Sequence, residues 1–542
     1  MRAPLIIAAA IALTAGLAAV PSTANAAPVT RAAQTAAYTP PAINWGKCTQ
    51  TNSGGNAATL RSFGAQCGYV VVPMDYAHPG GAKIKLAISR VVHTTTDPAD
   101  YKGIMLVNPG GPGGSGLIYS IFQTFIPNGA GAGYDWIGWD PRGVGNSIPS
   151  LACNANFFHT DRAPYRPTTA AIMRQWVGDS QQYADDCTQA NGAALFNHVK
   201  TTDSVADMES IRTALDQSKI NYYGFSYGTY LGSVYMTQHP DRVGRFVLDS
   251  TVDPRHVFYQ SNLDQDVAFQ KTFDVYFSWI AKYNSVYHLG ATHDAVRNLF
   301  LNTETALDAH PANGLLGGDE LLDVFTSAGY YVYDWEDIAA AFAKYIHHGD
   351  PTDLITRYVD ANSTAPGGDN GYAMYLGTQC TDAAWPRSQS KLNADSWRLD
   401  QTYNYFTWAN AWFNGPCAYW HYPASTPVTV SGADVNVPIL MIDETFDPAT
   451  PYAGSLYVRS IFPTASLIEG KNGTTHAGSL SGVACTDDSI ATYLETGVVP
   501  ARQAGNHSDK VCPPVPQPDP TASSAVPSRA ATLLAPALRP AA

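Results

Sequence analysis

Short apolar segments alternate with helical stretches along most of this chain. One helical stretch covers about 202–215 and places Val205, Met208 and Ile211 on one face. The strand-like segments are 69–72, 84–92, 104–107, 134–139, 221–225, 246–248, 439–442 and 466–468. Because short apolar strands that alternate with helices are buried on both faces, this pattern predicts a mostly parallel α/β sheet covered by helices.

The long interval between the strands at 246–248 and 439–442 interrupts this alternation. From about Asp253 to Val430 the sequence is helical and rich in aromatic residues. We expect a mainly helical cap over 253–430, inserted before the last strands of a core formed by 39–252 and 431–512. Such an insertion covers the carboxyl edge of the strands, where open α/β sheets bind ligands.

Both ends of the chain differ in composition from this pattern. Arg2, an apolar stretch over 5–20 and a small-residue site at 24–26 indicate a signal peptide over 1–26. The stretch is shorter than the roughly 20 residues that span a bilayer, so we expect a secreted, extracellular protein without stable membrane association. Residues 27–38 are expected to be a flexible leader or pro-segment, and the Pro/Ala/Ser-rich residues 513–542 a disordered tail.

Charge and cysteine content narrow the classes of function. The formal net charge of -13 argues against nucleic-acid binding, which needs a basic surface. The eight cysteines form no C-x-x-C pair and the histidines show no ligand spacing, so we expect neither a metal site nor a cofactor. Closing the shortest loops pairs Cys48 with Cys67, Cys153 with Cys187, Cys380 with Cys417 and Cys485 with Cys512.

The strongest chemical signal is the segment Gly224-Phe225-Ser226-Tyr227-Gly228. It lies between an apolar strand and a helical stretch, which is the context of a nucleophile elbow. A sharp strand-to-helix turn exposes the serine hydroxyl to a base and a substrate, and flanking glycines permit the cramped backbone. We therefore predict that Ser226 is a nucleophile, with an ordinary glycine-rich turn as the alternative.

A glycine-rich loop over 108–116 follows the strand at 104–107. Its backbone N–H groups, together with that of Tyr227, are placed to hold the oxyanion of a tetrahedral intermediate. A phosphate cradle is the alternative, but no G-K-[ST] follows the loop. A purely structural loop is the other alternative.

The acid and base are expected downstream of the serine. Asp447 follows the strand at 439–442, and His476 follows the strand at 466–468. His476 would take the proton of Ser226 while Asp447 orients the imidazole. The alternative acids are Asp249, Asp253, Asp443 and Glu444, and the alternative base is His507.

Four motifs in this order resemble the secreted tripeptidyl aminopeptidases, which belong to the proline-iminopeptidase-like group of actinobacterial α/β-hydrolases. The motifs are 108–116, Asp140-Pro141-Arg142-Gly143-Val144-Gly145, 224–232 and Asp447-Pro448-Ala449-Thr450-Pro451. The resemblance runs from about Trp45 to Cys512. It departs from the wider group at Asn108, where histidine is usual, at the Gly473-Thr474-Thr475 that precedes His476, and in lacking a further cysteine pair in the cap.

The resemblance implies an α/β-hydrolase fold, with Ser226, Asp447 and His476 as the triad. It implies Gly111 and Tyr227 as the oxyanion donors, and a cap that recognises the free N-terminus of a peptide or protein substrate. Arg142 would organise the floor of the site or form a buried ion pair. We expect the enzyme to act as a monomer.

Recognition of an amine requires carboxylates in a partly buried pocket. The cap supplies Glu336, Asp337 and Asp382 as candidates, although the first two also fit the acidic first turn of a helix. The resulting hypothesis is a serine exopeptidase that releases short peptides, tripeptides by family resemblance. A carboxylesterase or lipase is the alternative, although the mixed Tyr, Trp and Asp content of the cap favours a polar ligand. A non-catalytic binding module is the third hypothesis. Such a module would not need Ser226, Asp447 and His476, yet all three are present.

Overall fold

A computed structural model describes residues 38–522 of the chain. The predicted signal peptide, nearly all of the predicted leader and residues 523–542 of the predicted tail lie outside these residues.

One ten-stranded sheet forms the centre of the described structure. Its spatial order is β1-β2-β3-β5-β4-β6-β7-β8-β9-β10, antiparallel from β1 through β3 to β5 and parallel from β5 through β4 to β10. The strands are β1 Gly46–Lys47, β2 Gln66–Pro73, β3 Lys83–Val91, β4 Gly103–Asn108, β5 Tyr134–Trp139, β6 Ile220–Phe225, β7 Val243–Asp249, β8 Ile439–Glu444, β9 Ala465–Gly470 and β10 Lys510–Cys512. The predicted α/β sheet is confirmed, and every strand inferred from the sequence is present.

The two edge strands, β1 and β10, were not predicted from the sequence. β1 has two residues and β10 has three, so neither contains enough positions to show a periodicity. β6 and β8 are buried along their whole length, as expected for parallel strands covered on both faces.

Helices cover both faces of the sheet and fill the interval between β7 and β8. They are α1 Gln50–Ser53, α2 Ala57–Ser62, α3 Ala170–Gln189, α4 Thr201–Ala214, α5 Tyr227–Gln238, α6 Tyr259–Lys282, α7 Asn284–Tyr287, α8 His293–Ala309, α9 Gly318–Tyr330, α10 Trp335–His348, α11 Thr352–Ala361, α12 Asn370–Asp382, α13 Gln389–Asp400, α14 Thr407–Phe413, α15 Ala453–Ile461 and α16 Ala484–Thr496. The helices inferred at 202–215 and directly after Ser226 correspond to α4 and α5.

The cap helices α6–α14 share their apolar core with an earlier part of the chain. Trp176 of α3 stacks on Trp412 of α14 with 5.9 Å between ring centroids. The Trp412 indole N–H donates to the Tyr165 carbonyl at 2.8 Å. The segment between β5 and β6 therefore contributes to the cap, although the sequence analysis assigns it to the core. This contact joins residues more than 200 positions apart, so it depends on tertiary packing that no local pattern shows.

Four disulfides stabilise the fold, and they join the pairs that short-loop closure predicts. They are Cys48–Cys67, Cys153–Cys187, Cys380–Cys417 and Cys485–Cys512. Among residues 38–522, no helix combines the length and the apolar character needed to cross a membrane.

The start of the predicted disordered tail packs on the folded chain. The Val515 N–H donates to Glu444 Oε1 at 2.6 Å, and the Val515 side chain is buried in the cap core. The Trp279 indole donates to the Pro518 carbonyl at 2.9 Å. Residues 513–518 are thus part of the folded structure, because one apolar side chain and two hydrogen bonds fix a segment that composition alone marks as disordered.

Candidate active site

Ser226 lies at the sharp turn between β6 and α5. Its φ of 54° is in the left-handed region, and its N–H donates to the Asp249 carbonyl at 3.0 Å. A Cβ on Gly224 would lie 2.6 Å from the Gly228 carbonyl oxygen, so a side chain there would force the strand and the helix apart. The glycine spacing therefore permits the turn that lifts Ser226 to the carboxyl edge of the sheet.

Asp447 and His476 lie on the loops that follow β8 and β9. The imidazole Nδ1 is 2.8 Å from Asp447 Oδ2 and 3.0 Å from Oδ1. The N–H groups of Ala449 and Thr450 donate to Asp447 Oδ1 at 2.9 Å each, and the Thr450 hydroxyl donates to Oδ2 at 3.1 Å. Both side chains are almost fully buried, so this network holds the carboxylate in one orientation toward the imidazole.

The cap holds the backbone of the catalytic loop. The His476 N–H donates to the carbonyl of Tyr330, the last residue of α9, at 2.9 Å. The next N–H, that of Ala477, donates to Ser250 Oγ at 2.7 Å. His476 is therefore fixed from the core and from the cap. The sequence analysis missed Tyr330, because its contact is made by a backbone carbonyl and leaves no trace in residue type.

The alternative acids and the alternative base have other partners. Asp249 accepts from the Ser479 N–H, Asp443 from Ser455 Oγ, and Glu444 from the Thr475 N–H. Burial raises the pKa of Asp249 to about 6 and that of Glu444 to about 8. Asp253 pairs with Arg255, and His507 Nδ1 contacts the Ser508 carbonyl. The structure thus joins His476 to Asp447.

The glycine loop after β4 lies directly against the elbow. A Cβ on Gly110, whose φ is +92°, would lie 2.5 Å from the Phe225 carbonyl oxygen and 2.9 Å from the Tyr227 nitrogen. The N–H groups of Gly111 and Tyr227 donate to no residue within 38–522. Two unpaired backbone donors therefore lie beside Ser226, which is the arrangement that stabilises an oxyanion.

The Asp140–Gly145 motif contacts the glycine-rich loop after β4 through the Asp140 carboxylate. Asp140 Oδ1 accepts from the Ser115 hydroxyl at 2.6 Å and from the Gly116 N–H at 3.0 Å. The buried Arg142 forms a two-pronged ion pair with Asp207, at 2.6 Å and 2.7 Å. Arg142 thus occupies the buried ion pair that was one of its two predicted roles, and Asp140 anchors the glycine loop.

A cavity of about 570 Å³ lies between the sheet edge and the cap. Ser226, His476, Gly111 and Tyr227 line it on the core side. Its cap side comes from α6, α9, α11, α12 and α14, together with Phe158 and Tyr165 of the segment between β5 and β6. The predicted nucleophile, base and oxyanion donors therefore line one cleft, with Asp447 directly behind His476. Among residues 38–522, no cluster of acids, histidines or cysteines has a metal-binding arrangement.

The three acids predicted to bind an amine do not line this cavity. Asp337 is exposed and pairs with Arg357 at 2.7 Å, and Glu336 is beside it on the first turn of α10. Asp382 is buried, and it accepts from the Thr201 N–H at 2.7 Å and from the Thr201 hydroxyl. We correct this assignment: at the start of α10 Asp337 is exposed and Glu336 is half-buried, and Asp382 caps α4.

Two cap carboxylates line the cavity without having been predicted: Asp264 of α6 and Asp323 of α9. Asp323 is partly buried, and Asp319 and Glu320 precede it in α9. The run of three acids within two turns was a usable sequence signal, although only the packing shows which of them faces the cavity.

Two family models match the chain: one described as alpha/beta hydrolase fold over residues 103–303, and one described as TAP-like protein over 403–512. The tripeptidyl aminopeptidase of Streptomyces lividans is 38% identical over 464 residues, which are 84% of this chain and 85% of the relative. The chain belongs to the tripeptidyl aminopeptidase family of α/β-hydrolases. This membership makes it a serine hydrolase of the aminopeptidase type.

More distant relatives carry different names. Serine protease Hip1 of Mycobacterium tuberculosis is 27% identical over 84% of this chain and 89% of its own length. Carboxylesterase B of Mycobacterium tuberculosis is 29% identical over 85% of this chain and 89% of its own length. The relatives of this chain are therefore named for peptide and for ester hydrolysis, so the reaction class needs a separate argument.

Proposed function

We propose that this enzyme releases tripeptides from the free N-termini of peptides and proteins by a Ser-His-Asp acyl-enzyme mechanism. The observation that carries this proposal is the 38% identity to a tripeptidyl aminopeptidase over 84% of the chain. A cavity beside Ser226 that is covered by cap helices and lined by acids including Asp264 and Asp323 supports it, because an exopeptidase must hold a charged terminus.

The proposed mechanism uses the core side of the cavity. Ser226 Oγ attacks the carbonyl carbon of the scissile peptide bond, and His476 takes the hydroxyl proton. Asp447 stabilises the imidazolium, and the N–H groups of Gly111 and Tyr227 bind the oxyanion. His476 then protonates the leaving amine, which departs with the shortened chain. Water, activated by the same histidine, hydrolyses the acyl-enzyme and restores Ser226.

We also propose that the enzyme is secreted and acts outside the cell as a monomer. The signal-peptide pattern over 1–26 and the four disulfides support this location, because disulfides persist in oxidising compartments. Mass spectrometry of culture-supernatant protein would test it: a mature N-terminus just after Ala26 is expected, and retention of the intact chain in the cytoplasm would contradict the proposal.

Carboxylester hydrolysis is the second candidate function. The 29% identity to Carboxylesterase B favours it, and the same triad cleaves esters. Each candidate predicts a different preference. Tripeptide release predicts that free-amine peptides are cleaved after the third residue and that acetylated peptides are poor substrates. An esterase predicts turnover of acyl esters with no peptide cleavage.

The deciding experiment incubates purified enzyme with peptides of one sequence, with and without an N-terminal acetyl group, and identifies the fragments by mass spectrometry. Successive tripeptides from the free-amine peptide are the expected products. Cleavage of p-nitrophenyl esters alone would favour the esterase function. Inactivity toward both substrate types would exclude both functions.

A further inference from the structure

Glu444, one of the alternative triad acids, is the last residue of β8 and binds two distant parts of the chain. Its side chain is buried, and each carboxylate oxygen accepts from one backbone N–H group at 2.6 Å. Oε2 accepts from Thr475, the residue before His476, and Oε1 accepts from Val515 of the C-terminal segment 513–518. One carboxylate therefore joins the loop that carries the catalytic base to the C-terminal segment.

The loop around His476 packs directly on the Glu444 carboxylate. A Cβ on Gly473 would overlap this carboxylate, and a Cβ on Gly478 would lie 3.6 Å from Glu444 Cγ. The segment Gly473-Thr474-Thr475 is also where this chain departs from the wider group of its resemblance. Because residue 473 has no side chain, the backbone comes close enough for the Thr475 N–H to reach Oε2.

The C-terminal segment has few backbone N–H groups, and one of them binds Glu444. Proline occupies positions 513, 514, 516 and 518, so Val515 and Gln517 have the only backbone N–H groups in the segment. Proline fixes φ, and a residue before proline is restricted to extended conformations. Ordering this segment therefore costs less conformational entropy than ordering an unrestricted chain of the same length.

Both ends of the C-terminal segment are attached to other elements. Cys512, the last residue of β10, precedes it and forms a disulfide with α16. At the other end, the Pro518 carbonyl accepts from the Trp279 indole of α6 at 2.9 Å. Between them the Val515 side chain is buried, and a Cβ on Gly478 would lie 3.1 Å from Val515 Cγ2. The segment thus runs from the sheet to the cap along the His476 loop.

Three successive N–H groups of this loop bind three different elements. The pairs are Thr475 with Glu444 of β8, His476 with Tyr330 of α9, and Ala477 with Ser250 after β7. Among these three acceptors, only the one on Glu444 can carry a charge, and hydrogen bonds to a charged acceptor are roughly twice as strong as neutral ones. The Glu444 contact is therefore the one whose strength changes with ionisation.

Most titratable groups around Glu444 are acidic. Burial raises its pKa to about 8, Asp447 and Asp249 act in the same direction, and the two N–H bonds act against them. The other titratable groups near it are Asp443 on β8, Tyr333 in the turn before α10 and His476 on the loop. Above this pKa both oxygens are acceptors, whereas below it one oxygen carries a proton and faces an N–H donor.

We infer that Glu444 is a positioning residue for His476, and that the C-terminal segment completes the active site by holding Glu444 through the Val515 N–H. The inference rests on the role of His476 as the base in the proposed mechanism. With both bonds made, the backbone before His476 is fixed, and the imidazole keeps the geometry that proton transfer from Ser226 requires. When either bond is lost, the loop shifts and proton transfer slows.

The test compares kcat and KM of Glu444→Gln and the intact enzyme between pH 6 and 9, on p-nitrophenyl acetate and a free-amine tripeptidyl p-nitroanilide. Glutamine has one acceptor group and one donor group, so it cannot accept both N–H bonds at any pH. At pH 9 we expect kcat to fall about 10- to 100-fold for both substrates. At pH 6, where Glu444 is protonated, kcat of the two proteins should agree within about three-fold. KM should change little, because Glu444 does not line the cavity.

Glu469→Gln is the matched control for this substitution. Glu469 lies on the neighbouring strand β9 and accepts from the Tyr452 hydroxyl at 3.0 Å and the Ser508 hydroxyl at 2.8 Å. Neither partner belongs to the His476 loop, and a glutamine oxygen can accept from both hydroxyls. The ratio of its kcat to that of the intact enzyme should be the same at every pH.

Val515→Pro tests the contribution of the C-terminal segment. Proline removes the N–H group and keeps an apolar side chain, and position 515 already precedes Pro516, so an extended backbone is present there. We expect kcat at pH 9 to fall about 3- to 10-fold for both substrates, with a smaller loss at pH 6. Gln517→Pro makes the same change at the exposed neighbouring position and should leave kcat unchanged.

The contrary outcomes are distinct. A loss of kcat that is equal at pH 6 and 9, or a loss confined to KM, would overturn the positioning role of Glu444. If Glu444→Gln does not fold, Val515→Pro decides by the same pH comparison, and equal rates for Val515→Pro and Gln517→Pro would overturn the inference. Full activity of His476→Ala would overturn the proposed mechanism as well, whereas an inactive His476→Ala with a fully active Glu444→Gln would overturn the positioning role alone.

Discussion

The core side and the cap side of the cavity are built in different ways. On the core side, Ser226, Gly111 and Tyr227 lie on turns that leave the carboxyl ends of neighbouring parallel strands. Their positions follow from strand register and from glycine at cramped positions. On the cap side, Asp323 of α9 pairs with Arg162, which belongs to the segment between β5 and β6. Their positions follow from side-chain packing over long sequence distances.

The core side determines the chemistry of the enzyme, and the cap side determines its substrate preference. Turns at a sheet edge hold reacting atoms rigidly, so the core side supplies chemistry that every substrate of the enzyme shares. Packed helices tolerate substitution at their surfaces, so the cap side is where substrate preference can change while the chemistry is kept. Changes on the core side should affect ester and peptide turnover alike, and changes on the cap side should affect peptides alone.

Ser226→Ala provides the largest test of the comparison. Without the hydroxyl nucleophile, kcat should fall about 10⁵- to 10⁶-fold for both p-nitrophenyl acetate and the free-amine tripeptide. Ser278→Ala, at an exposed position of α6, is the matched control and should be fully active. Residual ester turnover above one-thousandth of the original would mean that another group reacts with esters.

Gly110→Ala tests the oxyanion loop. The added methyl group would lie 2.5 Å from the Phe225 carbonyl oxygen, so the loop must move away from Ser226. We expect kcat to fall about 10²- to 10³-fold on esters and peptides, since at least one oxyanion donor is misplaced. Gly178→Ala in α3, where a Cβ meets nothing within 4 Å, should leave both rates unchanged. A loss confined to peptides would contradict the core-side assignment.

Removing one disulfide from the cap and one from the core tests whether the cap alone controls substrate preference. Replacing Cys380 and Cys417 by alanine should lower the free energy of unfolding by about 3–4 kcal/mol, and so should replacing Cys48 and Cys67. Denaturant titration measures both. The cap pair adjoins Gln379, which lines the cavity, so only its loss should also weaken the free-amine preference. An equal effect of the two pairs on that preference would remove the distinction.

Asp249→Asn has the smallest expected effect: it should change how the free energy of unfolding depends on pH. Burial raises the pKa of Asp249 to about 6, so between about pH 4 and 6 the folded state keeps a proton that the unfolded state releases. Stability of the intact enzyme should therefore fall as pH rises through this interval. Asparagine cannot ionise, and above pH 6 the variant should be more stable by up to about 3 kcal/mol.

Thermal unfolding at pH 4, 5, 6 and 8 measures this prediction. Asparagine can keep the bond that Asp249 accepts from the Ser479 N–H, and its amide oxygen or nitrogen can face Ser250 Oγ, which donates to Asp249 in the intact enzyme. Identical pH profiles for the two proteins would show that folding does not raise the pKa of Asp249.

The sequence predicts the residues on the core side of the cavity better than those on the cap side. Ser226 and Asp447 are signalled by motifs whose residues lie within a few positions of each other, and the turns that these motifs form are local. Asp337 and Asp382 looked equally suitable as amine ligands, yet one faces solvent beside Arg357 and the other caps α4 through Thr201. No local pattern distinguishes an acid that lines a cavity from one that caps a helix.

Sequence patterns were enough to predict the parallel α/β sheet, the elbow at Ser226, the order of acid and base, and the disulfide pairs. These features depend on periodicity, glycine positions and loop length, which are properties of short segments. No sequence pattern predicted that the segment before β6 joins the cap, that the Tyr330 carbonyl accepts from the His476 N–H, or that Asp323 lines the cavity. These contacts join residues far apart in the chain, and their energy comes from packing that exists only once the whole domain has folded.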